Sequence, residues 1–480
     1  MAKKTVKNKK HVFVDWYEVD PGYGVDLTGY QPLDGSPYGV KIVAHKPFLE
    51  STPILEPDKP WDIGRAGMSS VIKINGQYHM WYEAINRTPE WIMLCYATSD
   101  DGVNWVKPNL GLVEFQGKKE NNIVRMEGKP GMPWVDEGDI VYYDEHAPKN
   151  ERFKLLFTRV KYSGKVVESV DNYTATSADG IHWKNYRQAF KGGDSFPGLI
   201  YLKESGKYVA MTKAQFSNHL IRRTIVAFES PDFINWNQGT ILLNGSMNDK
   251  PDTDYYTSPF WAWPGTGETA FVMMPSIFHR TEDTVKPVIA FSRDLNTWTI
   301  PHENMPLINQ ETDGYMGHYV SFGFVAEDNK YIHYLTKFKG GHNGGGFGTE
   351  GKPGTWRMIY REDGYTSLYA ESHGGFTTIP LNVGKGLILN ADIGLKAYIK
   401  VAITNEENTP YEGFGFDDCK VEPIDELRYR VTWAKDMAEL PSKKNHRFKF
   451  KMFRAHLYSY TCLDCESYEN EDGDCPYRIA

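Results

Sequence analysis

The sequence predicts an all-β protein, a five-bladed β-propeller followed by a β-sandwich domain. Three observations carry that expectation. A short turn motif recurs along the chain. The stretches between its copies read as short strands joined by polar turns, with almost no helical periodicity. Beyond about residue 370 strand-like segments continue without the motif.

The motif occupies residues 97–105 (ATSDDGVNW), 175–183 (ATSADGIHW), 227–236 (AFESPDFINW) and 290–298 (AFSRDLNTW), with a degenerate fifth copy at 360–368 (YREDGYTSL). Its chemistry is that of a tight turn between two strands. Asp bonds back to the turn backbone, Gly accepts positive φ, and Trp packs on the hairpin beneath. The marker aspartates Asp101, Asp179, Asp232, Asp294 and Asp363 are 78, 53, 62 and 69 residues apart, a repeat length suited to one blade each.

Each marker follows an inner hairpin. Residues 71–74 (VIKI), the turn Asn75-Gly76 and residues 78–82 (YHMWY) form the first. Residues 199–202 and 208–211 around Ser205-Gly206, and residues 261–263 and 271–274 around Gly265 and Gly267, repeat it. Two hairpins in succession make a four-stranded blade. The expected organisation is therefore residues 1–60 as a segment packing on or closing the propeller, 61–370 as the five-bladed catalytic domain, 371–461 as the sandwich, and 462–480 as an acidic, Cys-containing tail.

Composition narrows the function. The 480 residues carry 54 Lys and Arg against 62 Asp and Glu, a formal charge of −8, so no nucleic-acid partner is expected. No apolar run approaches the ~18 residues of a membrane span, and none near residue 1 is long enough for a signal peptide. The five cysteines are an odd number. The expectation is a cytoplasmic protein with reduced thiols and no membrane partner; no oligomeric state is predicted. Cys462-x-x-Cys465 lacks the second pair of a zinc knuckle, and residues 344–348 (GGGFG) lack the strand-then-helix setting of a phosphate cradle.

The useful surface of a propeller is the mouth of its channel, where the innermost strands begin. Four acids occupy one register. Asp62, Asp139, Asp194 and Asp254 precede their marker aspartates by 39, 40, 38 and 40 residues, while Asp313 stands 50 before Asp363. Asp136 and Glu137 lie just upstream of Asp139. Converging carboxylates are what glycosidic cleavage requires: one protonated, to protonate the leaving oxygen, and one ionised, as nucleophile or as base for water. Crowding itself raises one pKa. The candidate catalytic set is Asp62, Asp139, Asp194, Glu137 and Asp254. Trp61, Arg65, Trp134, Tyr255, Tyr256, Trp261 and His318 fall near inner-strand starts and are the candidate substrate-binding side chains, aromatic faces for sugar C–H surfaces and donors for hydroxyls. No metal ligand set has diagnostic spacing and no cofactor is expected, although a structural divalent ion in the channel is compatible with the acids.

Residues 11–15 (HVFVD), 78–82 (YHMWY), 94–99 (LCYATS) running to 107–112 (KPNLGL), 120–124 (ENNIV) and 361–364 (REDG) carry a family likeness. The chain resembles the five-bladed β-propeller glycosidases of the furanosidase superfamily, families 32 and 43, and more closely the family 32-like bacterial proteins that add a C-terminal β-sandwich. The resemblance implies a first-blade Asp as nucleophile or base, a second-blade Asp that stabilises, and a third-blade Glu as acid. Asp62 matches the first by position only, since the Trp-x-Asn-Asp-Pro-x-Gly motif is absent. Residues 139–143 (DIVYY) lack the Arg-Asp-Pro of the second, and Asp194 in residues 193–197 (GDSFP) replaces the Glu-Cys of the third. The proton donor stays open among Asp194, Glu137 and Asp254.

The expected function is an exo-acting glycosidase, a furanosidase or a transglycosylating enzyme, on plant, algal or microbial oligosaccharides. Two alternatives differ in kind. One is a glycoside phosphorylase with phosphate held by Arg65, Arg159 and Lys213; the other is a non-catalytic carbohydrate-binding propeller.

Overall fold

The structure, a computed structural model, describes residues 4–22, 36–86, 92–126, 134–164, 166–215, 222–247, 249–301, 307–309, 314–342, 353–441 and 445–468. Among these residues the chain is almost wholly β, its helical content being two single 3₁₀ turns, Lys149–Glu151 and Met437–Glu439. It divides into two compact units: residues 46–262 with 271–361, and residues 1–45 with 263–270 and 362–480.

The larger unit is the propeller, its described strands forming sheets of eleven, four, four and three strands, the largest of which runs through blades one and five. Blade one comprises Arg65–Ile74, Gln77–Ile85, Ile92–Ser99 and Ile123–Arg125; blade two, Trp134–Tyr143, Phe153–Ser163, Val166–Ser177 and Lys184–Lys191; blade three, Gly198–Leu202, Lys207–Gln215, Arg223–Ser230 and Thr240–Leu243. Blade four has three strands, Phe260–Ala262, Phe271–Met273 and Ala290–Ser292, continued by Thr253–Tyr255, Ser276–His279 and Thr284–Pro287. Pro259 and Pro275 fall at two of the breaks, where a missing N–H interrupts the ladder. Blade five is built from Gly317–Glu327, Lys330–Phe338 and Thr355–Arg361, and takes its outer strand, Phe48–Leu49, from upstream of blade one. The innermost strands neighbour one another in cyclic order, one to five and back to one, with a parallel bridge between Phe322 and Ser70 at the junction.

Four copies of the turn motif work as their composition predicts. At Asp101, Asp179, Asp232 and Asp294 the Oδ1 atom accepts two backbone N–H groups, at 2.7–2.9 Å. The preceding Ser hydroxyl donates to the same oxygen. These donors hold Asp101 and Asp179 well below the usual carboxylate range. The fifth copy is different. Asp363 belongs to the smaller unit, where it is buried and bonded by Lys10 Nζ (2.9 Å), Trp263 Nε1 (3.0 Å), Asn390 Nδ2 (3.3 Å) and Ser459 Oγ (2.7 Å). It ties four distant segments together rather than turning a hairpin.

The smaller unit is a sandwich folded from one seven-stranded sheet, of Lys4–Val12, Lys41–Ala44, Thr366–Thr377, Gly386–Thr404, Lys420–Pro423, Arg428–Thr432 and Arg447–Tyr468. Its two longest strands, Gly386–Thr404 and Arg447–Tyr468, pair along both ends and lose register between Ile393 and Tyr398. Lys396 and Arg454 take positive φ at that corner, so each strand serves both layers. Leu389, Val401, Phe450 and Leu457 are among the apolar residues buried in its core.

The expected boundaries are corrected accordingly. Residues 1–45 belong with the sandwich, because Lys4–Val12 pairs with Arg447–Tyr468 and Lys41–Ala44 with Thr366–Thr377; residues 46–60 stay with the propeller, where Phe48–Leu49 and a bridge from Leu55 to Thr355 close blade five. The sandwich begins at Glu362 rather than at 371. Strand continues past 462 to Tyr468, with Cys462 and Cys465 buried, so no tail starts at 462. Cys475, Asp313 and residues 344–348 lie outside the described residues.

Candidate active site

Backbone irregularities set the positions of Glu137 and Asp194. In the first strand of blade two the register slips between Glu137 and Ile140, and Gly138 takes φ +66°. A bulge of this kind re-aims the side chain beside it. Gly138 also allows a close approach. A Cβ there would stand 2.6 Å from Phe196 N and 2.7 Å from Ser195 Cβ, so only glycine lets blade two press against the loop before blade three. That loop is strained in turn, with Phe196 at φ +60°.

Glu137 is half-buried, with its carboxyl enclosed by protein. Burial first, then the neighbouring Asp194, raises its pKa to about 7, against the opposing pull of Lys213 and Arg65. Asp194 lies with its Oδ2 3.6 Å from Lys213 Nζ, and its side chain is 24% exposed against 1% for the lysine. Lys213 is pinned by Ser195 Oγ at 2.8 Å and stands 3.7 Å from the centre of the Tyr256 ring. Tyr256 packs with Tyr319, Phe278, Met68 and Phe196. Tyr319 Oη and His342 Nδ1 are 2.6 Å apart, and burial lowers the His342 pKa to about 3, so this imidazole stays neutral.

A second row of charge holds Glu137 in place. Glu83, buried in blade one, pairs with Arg65 and accepts the N–H of Gly138 at 2.9 Å through Oε2. The peptide immediately after Glu137 is thereby tied to a buried ion pair.

Of the candidates from sequence, the structure brings together Glu137, Asp194, Arg65 and Tyr256. Asp62 goes elsewhere. It is buried in a loop of blade one, accepting N–H groups of Asp58 and Lys59 (3.0 and 2.8 Å), Tyr82 Oη (3.0 Å) and Lys107 Nζ (2.6 Å), which is a structural anchor. Trp61 joins the same network through Asn122 Oδ1 at 2.8 Å and packs edge-on to Phe115. Asp139 is buried and ion-paired with Arg125, which also holds Asp136. Asp136 takes Arg159 as well. Asp254 is buried against Arg223 and Arg280. Tyr255 sits in a blade core with its hydroxyl on Asp249 at 3.3 Å. His318 is wholly buried at the start of blade five. Trp261 is buried at the opposite end of the channel, where Val71, Tyr142, Tyr143, Phe322 and Phe324 help line an apolar cavity of about 520 Å³. Trp134 begins blade two, and its side chain lies outside the described residues.

Glu83, Lys213, Phe196, Tyr319 and Arg223 were not among those candidates for the carboxylate site. Glu83 and Lys213 did leave a signal, each being a charge inside an apolar inner-hairpin strand, in residues 77–85 (QYHMWYEAI) and 207–215 (KYVAMTKAQ). A charge that folding must bury is costly unless something uses or pairs it. Among the described residues no three His, Cys, Asp or Glu side chains gather as a metal site, and no helix is long and apolar enough to cross a membrane.

No family model and no curated protein matches the chain. Solved structures of similar fold exist at low identity. An N-acetylgalactosamine deacetylase from F. plautii is 14% identical, with 65% of this chain and 95% of that one covered and a TM-score of 0.48. The family 32 β-fructofuranosidase BmSUC1 of Bombyx mori is 10% identical, with 86% and 94% covered and a TM-score of 0.44. A β-1,2-mannobiose phosphorylase from Listeria innocua is 13% identical, with 67% and 96% covered and a TM-score of 0.44.

Proposed function

We propose that the chain is a glycoside hydrolase in which Glu137 is the proton donor and Asp194 the carboxylate that acts ionised, as nucleophile or as base for water. One observation carries the reading: an enclosed Glu with its pKa raised to about 7 beside an Asp paired with a buried Lys. Two acids in unlike surroundings are what divides the roles. Lys213 Nζ lies 3.6 Å from Asp194 Oδ2, while burial and the neighbouring Asp194 raise the pKa of Glu137 to about 7. Arg65 and Glu83 act through position, by fixing the peptide that follows Glu137. Phe196, half-buried, offers an aromatic face for a sugar ring.

The test is digestion of a panel of oligosaccharides and aryl glycosides, with products followed by NMR. Glu137→Gln and Asp194→Asn are expected to abolish most turnover. On aryl glycosides whose leaving group needs no proton, Glu137→Gln should recover much of its rate and Asp194→Asn should not. If both variants cleave the substrate at the wild-type rate, the assignment fails.

A further inference from the structure

We infer that Cys462 and Cys465 form a two-electron redox site, closing to a disulfide when a peroxide oxidises them and reopening on reduction. The pair belongs to the smaller unit and asks nothing of the carboxylates proposed for catalysis.

Spacing alone argues against such a bond. In a regular strand, residues three apart point to opposite faces with Cα atoms about 10 Å apart. A disulfide needs Cα atoms within about 7 Å of each other. The strand Arg447–Tyr468 is not regular here. Against Lys4–Val12 its register runs Cys462 to Lys9 and Cys465 to Lys7, so Leu463 and Asp464 share the place opposite Asn8. Asp464 is exposed and takes φ +52°, and its N–H donates to Asn8 Oδ1 at 3.1 Å. This bulge absorbs one residue and returns Cys465 to the face that Cys462 occupies. Both thiols are buried in the sandwich core, Cys462 at 0% and Cys465 at 9% exposure. Neighbours along one strand face stand about 6.7 Å apart at Cα, within disulfide reach.

The surroundings divide the work between the two sulfurs. Cys465 Sγ lies 3.7 Å from the Cys462 carbonyl oxygen and 3.6 Å from that of Asn382. The Cys462 thiol donates to the Cys465 sulfur and draws the Cys465 pKa down, and the Lys9 charge and backbone N–H add to that pull against burial. The same bond, with burial, holds the Cys462 pKa up. Cys465 is thus the nucleophile and Cys462 the resolving thiol. At Cys95 and Cys419, by contrast, burial raises the thiol pKa.

The step balances with hydrogen peroxide as oxidant. The Cys465 thiolate attacks one oxygen, the O–O bond breaks, and the hydroxide released takes up a proton. Cys462 then attacks the sulfur of the resulting sulfenic acid. An S–S bond replaces S–O, and the Cys462 proton leaves in a second water. Two thiols lose two electrons and one peroxide becomes two waters.

The test exposes the reduced full chain to hydrogen peroxide, then denatures it, alkylates with iodoacetamide and maps the peptides by mass spectrometry. Cleavage after Glu466 separates Cys475 from the pair. Reduced protein should take label at all five cysteines. Oxidised protein should lose two labels, both from the peptide holding Cys462 and Cys465, and dithiothreitol should restore them. Cys475→Ser should leave that outcome unchanged. Cys462→Ser should instead accumulate a Cys465 sulfenic acid that dimedone traps, with circular dichroism verifying its fold; if it fails to fold, the wild-type map decides alone. Retention of both labels at peroxide exposures that oxidise methionine overturns the inference. So does a Cys465–Cys475 bond, or earlier loss of label from Cys95 or Cys419.

Discussion

Blades one and two each enclose a carboxylate near the start of the inner strand, and the proposed function gives the two acids opposite uses. Asp62 receives two backbone N–H groups, a tyrosine hydroxyl and an ammonium. Glu137 has enclosure without that set of donors, and a like charge in Asp194 nearby. Burial is common to both. What separates an anchor from a proton donor is the supply of donors to the carboxylate, and that is decided by the loop around it rather than by register in the repeat.

The widest split between them should be in turnover. Glu137→Gln is expected to lower kcat/KM about 10²- to 10⁴-fold, the usual range for a general acid. Asp62→Asn should leave kcat/KM within a few-fold per folded molecule; steady-state kinetics on folded protein checks both. Stability should split the other way. Asp62→Ala leaves Lys107 on Asp58 and the Glu56 carbonyl but takes the acceptor from the Asp58 and Lys59 N–H groups and from Tyr82 Oη, and should cost about 1–3 kcal/mol in urea unfolding.

The pH response sharpens the contrast further. Glu137 has a folded pKa of about 7 against 4.5 for the unfolded chain. Between those values the folded state holds the extra proton, so its contribution to stability falls as pH rises. Glu137→Gln should therefore be more stable than wild type above pH ~7, by about 1–3 kcal/mol, with the gain gone below pH ~4. Activity follows the same group, with kcat/KM falling as pH rises through about 7. Glu83→Gln weakens the tie on the Gly138 peptide and should move this limb while the substrate affinity of the folded enzyme stays close to wild type. The smallest effect belongs to the turn motif. Ser230→Ala removes one hydroxyl from the Asp232 turn and should cost about 1 kcal/mol in a thermal melt.

The repeat was legible because each turn is a local device. Ser, Asp and the two N–H groups that follow lie within a few residues, so composition and spacing suffice. The degenerate copy at Asp363 shows where that logic stops. The same residue types there bond to Lys10, Trp263, Asn390 and Ser459, partners that no local window contains. The acidic register was half legible for the same reason. It picked out Asp194 alongside Asp62, Asp139 and Asp254, whose partners are Lys107, Arg125, Arg223 and Arg280, and reached Glu137 only as a neighbour just upstream of Asp139. Cation partners come from other strands or other blades, and spacing within one blade does not encode them. The bulge at Gly138 was equally hidden, since a glycine in a strand announces a possible kink without naming the loop it must clear.

The outer strand of blade five has a consequence for synthesis. Leu49 pairs with Met358, and Phe48 with Ile359. A ribosome must deliver nearly the whole toroid before the residues that complete its final edge, made among the earliest, find their place. Sealing the ring is thus the most non-local step of its assembly and should be slow relative to forming any single hairpin. Until it occurs, the nascent protein carries an open sheet margin that invites mispairing.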